Sequence, residues 1–143
     1  MMNANNPHKN VTILLVEDDD VDAQGIMRSF KKRKIGNVII RARDGLEAYE
    51  MLNSCEVEHP YVILLDLQMP RMNGLEFLSK IRNDQKLKSS VIFVLTTSKA
   101  DADIAASYEQ FVAGYFVKED VGANFSDMID MLEGYWKIAY LPE

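Results

Sequence analysis

Val62-Ile63-Leu64-Leu65-Asp66-Leu67-Gln68-Met69-Pro70-Arg71-Met72-Asn73-Gly74 is the stretch that decides the fold. It opens with an unbroken apolar run, Val62 to Leu65, which predicts a strand buried on both faces. Asp66 ends that run. Pro70 and the Asn73-Gly74 pair mark a loop. Leu75, Leu78 and Ile81 then recur at helical spacing over Leu75–Asn83.

The same alternation extends in both directions. Upstream, Thr12–Val16 reads as a buried strand ending abruptly in acid. A helix follows over Val21–Lys34, with Ile26, Met27 and Phe30 on one face. Val38–Ala42 reads as a strand, Asp44-Gly45 as a turn, and Leu46–Ser54 as a helix that turns Ala48, Tyr49 and Leu52 inward. Downstream, Val91–Leu95 is a strand ending at Thr96. Ala100–Gln110 is a weakly amphipathic helix whose alanines predict loose packing. Gly114–Val117 is a short strand ending at Lys118. The last helix covers Asn124–Tyr140, with Phe125, Met128, Ile129, Leu132, Trp136 and Ala139 along a face. Five strands alternating with five helices predict an α/β fold, a parallel doubly wound sheet covered on both sides. Ligands of such sheets gather beyond the carboxyl ends of the strands.

The 143 residues suit one domain, and a 48 % hydrophobic share supplies its core without metals or disulfides. We expect residues 1–10, polar and containing Pro7, to form a loose tail, and residues 11–143 to form the domain. Cys55 is the single cysteine, which excludes an internal disulfide and points to a reducing, cytoplasmic setting. It reads as an ordinary thiol, since nothing basic adjoins it in sequence. A net charge of −6 argues against a nucleic-acid grip. The one basic run, Lys31-Lys32-Arg33-Lys34, closes a helix, where cations complement the macrodipole, a reading favoured over a nucleic-acid or membrane patch; a docking edge for an acidic partner is a further reading. The longest apolar stretches are about five residues, far short of the roughly twenty that span a bilayer. His8 and His59 lack partners at metal-ligand spacing.

The strand ends carry the chemistry. The first delivers Glu17, Asp18, Asp19 and Asp20, the third Asp66, the fourth Thr96 and Thr97, and the fifth Lys118. Two carboxylates at roughly 4 Å repel by about 4 kcal/mol at an effective dielectric of 20. Either some protonate or a cation sits among them. Hard oxygen ligands in a partly open site favour Mg²⁺. A carboxylate can also act as a nucleophile and form an aspartyl-phosphate, and phosphoryl transfer asks mainly for positioning and charge neutralisation. Asp20 and Asp22 read as acids of a helix N-terminus; Asp19 fits either role.

These segments resemble the receiver domains of two-component signalling. The likeness rests on Ile13-Leu14-Leu15-Val16-Glu17-Asp18, Leu65-Asp66-Leu67-Gln68-Met69-Pro70-Arg71-Met72-Asn73-Gly74, Val94-Leu95-Thr96-Thr97-Ser98 and Gly114-Tyr115-Phe116-Val117-Lys118, and covers about Thr12 to Leu132. It implies a flavodoxin-like five-stranded sheet in the order 2-1-3-4-5. It implies that Asp66 accepts phosphate and that Asp18, with Glu17 through water, binds Mg²⁺ beside Asp66. Gln68 then contributes its backbone carbonyl. Thr96 matches the switch hydroxyl, Lys118 the ammonium that pairs with the phosphoryl group, and Tyr115 the aromatic that changes rotamer. The partners implied are a sensor histidine kinase or histidine phosphotransfer protein and a downstream protein target.

One position departs from the family. Receivers usually place proline after the lysine, often through a cis peptide; here Glu119 follows. A cis bond without proline costs about 2.5–4 kcal/mol, so we expect a trans bond and a reshaped loop, with Glu119 or Asp120 drawing on Lys118. A narrower likeness, in Thr96-Thr97-Ser98, Ser107-Tyr108 and the tail from Tyr135-Trp136 to Leu141-Pro142, is to single-domain regulators paired with cyanobacterial bacteriophytochromes. Some of these dimerise through the fourth helix, fifth strand and fifth helix. Trp136, Tyr135 and Tyr140 either belong to such a surface or cap the core.

Other functions fit less well. A haloacid-dehalogenase-like phosphatase wants an acid two residues after its nucleophile, where this chain has Gln68. A flavodoxin-like binding module needs a phosphate-cradling loop where this chain places acids. A receiver that binds partners without phosphorylation remains open because of Glu119.

Overall fold

The computed structural model describes residues 11–142; the tail of residues 1–10, and His8 with it, lies outside them. Strands β1 (Thr12–Val16) and β3 (Tyr61–Leu65) are buried at every residue, and β4 (Val91–Thr96) at all but its first. β2 (Ile39–Ala42) and β5 (Gly114–Val117) are half-buried and form the edges. All neighbours run parallel in the order β2-β1-β3-β4-β5. Continuous apolar strands are what such a sheet demands, because alternate residues enter opposite cores. Leu14, Val16, Ile63, Leu65, Ile92 and Val94 face α2 (Gly45–Asn53) and α3 (Gly74–Arg82), which supply Ala48, Leu52, Phe77, Leu78 and Ile81. Ile13, Leu15, Val62, Leu64, Phe93 and Leu95 face α1 (Asp20–Lys32) and α5 (Ser126–Ile138), which supply Ile26, Phe30, Met128, Ile129, Leu132 and Trp136. Burying one such large side chain stabilises by about 1.5–3 kcal/mol.

The helices begin where capping residues stand. Asp44 accepts from Glu47 N–H at the start of α2. Asn73 and Glu76 form a reciprocal capping box at the start of α3. At α1 the cap is Asp19, whose side chain accepts from Asp22 N–H, so Asp20 and Asp22 fall in the first turn. Helix α4 (Asp101–Glu109) has no side-chain cap and buries only Ser107, in keeping with the loose packing expected of its alanines. Lys31 and Lys32 close α1, and Arg33 pairs with Asp130 of α5.

Trp136 is 2 % exposed and stacks on Phe30 across α1 and α5, with ring centroids 6.2 Å apart. Tyr135 is half-buried and meets Phe93 edge-on. These two therefore cap the core, and Tyr140 alone of the three aromatics is exposed. No helix among the described residues is long and apolar enough to cross a membrane. Cys55 is exposed and free, just beyond α2.

Candidate functional site

Register brings the strand ends together. Val16 pairs with Leu65, and Asp66 N–H donates to Val16 O at 3.0 Å, so Glu17 and Asp66 leave adjacent strands side by side. Thr96 pairs with Val117, which places Lys118 one residue past the end of β4. The loop after β3 is held tight by Gly74, whose N–H donates to Leu67 O at 2.9 Å. A Cβ on Gly74 would lie 2.5 Å from Leu67 Cα and 2.6 Å from Asp66 O. Only glycine lets α3 start this close to Asp66.

Glu17 and Asp66 are buried and Asp18 is exposed, and one oxygen of each lies within 4.8 Å of the others. Asp66 Oδ1 accepts from Gln68 N–H at 3.2 Å. Lys118 Nζ reaches Glu17 Oε1 at 2.8 Å, Asp22 Oδ2 at 2.7 Å and Asp66 Oδ2 at 3.3 Å. Burial, together with the charge of Asp66, pushes the Glu17 carboxyl up to about 7, despite relief from Lys118. Burial works against the Lys118 ammonium, but its contacts with Asp22 and Glu17 and the charge of Asp66 hold its pKa above the ordinary lysine value. Thr96 is fully buried at the end of β4. Thr97 Oγ1 donates to Gln68 Oε1 at 2.9 Å across the mouth of the crevice. Tyr115 Oη donates to Ser98 O at 3.0 Å, tying β5 to the loop after β4. Burial raises the Tyr115 hydroxyl pKa, so it stays a donor.

Glu17, Asp18, Asp66 and Lys118 thus meet at one place, with the Gln68 backbone beside Asp66, whereas Asp19 caps α1 and Asp20 pairs with Arg41 and Arg43. One expectation fails: neither Glu119 nor Asp120 draws on Lys118. Glu119 is exposed on a 3₁₀ turn, Lys118–Asp120, and pairs with Lys99 of the loop after β4. Lys118 turns inward, where buried carboxylates attract it with less screening by water. The Lys118–Glu119 peptide is trans; the cis bond among the described residues is His59–Pro60. Sequence reasoning placed Asp22 correctly in the first turn of α1 but missed its contact with Lys118. Its signal was its position in the first turn after an acidic strand end, which leads into the same crevice. His59 packs on Tyr61 and joins no group of potential metal ligands among the described residues.

The family model for the response regulator receiver domain matches residues 13–131. The chain belongs to the response-regulator receiver family. The receiver is 36 % identical over 140 residues to response regulator Rcp1 of Synechocystis sp., covering 95 % of this chain and 94 % of Rcp1. A crystal structure of Rcp1 in its Mn²⁺-bound form superposes with a TM-score of 0.81 at 34 % identity, over 93 % of this chain and 99 % of that one. The phosphorylated cyanobacterial phytochrome response regulator RcpA superposes with a TM-score of 0.79 at 32 % identity, over 94 % of this chain and 99 % of RcpA. The flavodoxin-like order 2-1-3-4-5 matches these structures, and the receiver is homologous to both regulators. Its acidic cluster is compatible with a divalent cation of the kind that Rcp1 holds.

Proposed function

We propose that this receiver accepts a phosphoryl group on Asp66 from the phosphohistidine of a sensor histidine kinase or a histidine phosphotransfer protein, in a Mg²⁺-dependent reaction. The observation that carries this reading is the buried Asp66 carboxylate, grouped with Glu17 and Asp18 on one side and 3.3 Å from Lys118 Nζ on the other. Glu17, Asp18 and Asp66, with the Gln68 backbone carbonyl, would hold the cation. Bound Mg²⁺ supplies positive charge that offsets the repulsion among these acids and neutralises phosphoryl oxygens.

An Asp66 carboxylate oxygen attacks phosphorus. An O–P bond forms as the P–N bond to the donor histidine breaks, and the departing nitrogen keeps the electron pair. Lys118 donates to one phosphoryl oxygen and the Thr96 hydroxyl to another. Movement of Thr96 toward that group frees space beneath Tyr115, whose hydrogen bond to Ser98 O joins two surface segments. The phosphorylated form then selects a different protein partner. The protein is a signalling domain with slow self-dephosphorylation, not a turnover enzyme. A cytoplasmic setting fits its single free cysteine. Exposed Tyr108 and Phe111 at the end of α4, with Ile138 and Tyr140 at the end of α5, favour the face of α4, β5 and α5 as the output or dimer surface.

Intact mass after incubation with Mg²⁺ and acetyl phosphate, or with a phosphorylated kinase, tests this. A phosphoryl-sized gain is expected in the wild type and none in Asp66→Asn. A gain in both proteins moves the acceptor to Asp18 or Asp19. No gain from either donor leaves a receiver that works by binding alone.

A further inference from the structure

We infer that Asp22 is a positioning residue that tethers Lys118 away from Asp66 and so restrains phosphorylation. The inference rests on the phosphoacceptor reading of Asp66. It begins at the start of α1. Asp22 is the third residue of that helix after its cap, Asp19. A longer acid there can fold back onto the backbone N–H of the cap residue, as Glu76 does at α3. At α1 the Asp19 N–H donates to Glu17 Oε2 at 3.1 Å. The Asp22 carboxylate points outward from the helix start and reaches Lys118 across 96 residues of sequence at 2.7 Å.

An ammonium has three protons to give. Those of Lys118 meet three carboxylates, and Asp66 holds the longest of the contacts, at 3.3 Å against 2.7 Å for Asp22 and 2.8 Å for Glu17. Glu17 belongs to the acidic cluster that can hold a cation. Asp22 does not, so a bound cation leaves its grip on Lys118 in place. The incoming phosphoryl group must therefore compete with Asp22 for the ammonium, and it meets an additional negative charge while doing so. Asp22 sits on α1 and Lys118 beyond β5, so the tether also links two elements on one side of the crevice.

Phosphorylation by acetyl phosphate with Mg²⁺ reads this directly, as the rate of phosphoryl mass gain with release of acetate. Asp22→Asn is expected to run about tenfold faster than wild type, the scale of one partly screened charge contact. Asp22→Glu, which keeps the charge, returns the rate toward wild type. Asp20→Asn removes the same charge from the same turn, but Asp20 serves Arg41 and Arg43; it is expected at the wild-type rate. A rate for Asp22→Asn at or below wild type overturns the tether, and so does equal acceleration by Asp20→Asn. Crystal structures of metal-free wild type and Asp22→Asn separate the tether from the phosphoacceptor reading. Lys118 Nζ is expected to close on Asp66 in the variant, to about 2.8 Å. An unmoved Lys118 overturns the inference whether or not the wild type takes phosphate. A moved Lys118 in a protein that takes none overturns the phosphoacceptor reading alone.

Discussion

Replacing Glu17 by glutamine in the metal-free protein exposes the electrostatic cost of the acidic crevice. Glu17 is 1 % exposed, and burial with the charge of Asp66 raises its pKa from 4.5 to about 7. The folded protein thus binds this proton more tightly than the unfolded chain does. The stability so gained is fully present below about pH 4.5 and is lost as pH rises toward 7; above that, both states are ionised and the loss is complete. The interval corresponds to about 3 kcal/mol. Urea denaturation in the presence of a chelator, from pH 4.5 to 8, measures it. Wild type should lose about that much across the window. Glu17→Gln keeps the volume but carries no titrating proton, and its amide oxygen can accept only one of the two hydrogen bonds that Glu17 takes from Asp19 N–H and Lys118; its stability should start lower and lack the loss across this window. Excess Mg²⁺ should flatten the wild-type curve, because a cation among Glu17, Asp18 and Asp66 stabilises the ionised form. Parallel curves for the two proteins without metal would refute this account of the crevice.

Gly74→Ala forces a methyl group against Leu67 Cα and Asp66 O; it should cost about 1–3 kcal/mol in urea denaturation and weaken Mg²⁺ binding measured by calorimetry. Arg82 donates to the carbonyls of Lys88, Ser90, Gln110 and Phe111, stapling the end of α3 to the segments that lead into β4 and β5. Arg82→Met should therefore lower stability by about 2–4 kcal/mol, read in the same way. Trp136→Ala removes a buried ring from the α1–α5 core and should cost about 3–5 kcal/mol, lowering the midpoint of thermal unfolding without changing the Mg²⁺ affinity.

The strands were legible in the sequence because each is a local apolar run closed by a polar residue. Most boundaries fall within a residue or two of the expected ones, and the shifts have local causes. The last helix starts at Ser126 rather than Asn124 because Asn124 and Phe125 take left-handed backbone angles. That Glu17, Asp18, Asp66 and Lys118 leave one edge of the sheet was legible too, because a parallel sheet places every strand end there. The alternation of strands and helices predicts such a sheet, whereas its order 2-1-3-4-5 was what the family resemblance implied.

The pairing of charges was decided elsewhere. Sequence placed Glu119 and Asp120 beside Lys118 and made Asp22 an acid of the helix start. The folded protein turns Lys118 inward to Glu17, Asp22 and Asp66, and leaves Glu119 to Lys99. It likewise buries Trp136 against Phe30, where sequence left core and surface both open. Periodicity is local and is read along the chain. Which carboxylate meets an ammonium, or which ring meets another, depends on how α1 and α5 settle beside β5 and on which charges lose water as they do. Only the packed tertiary structure sets those distances.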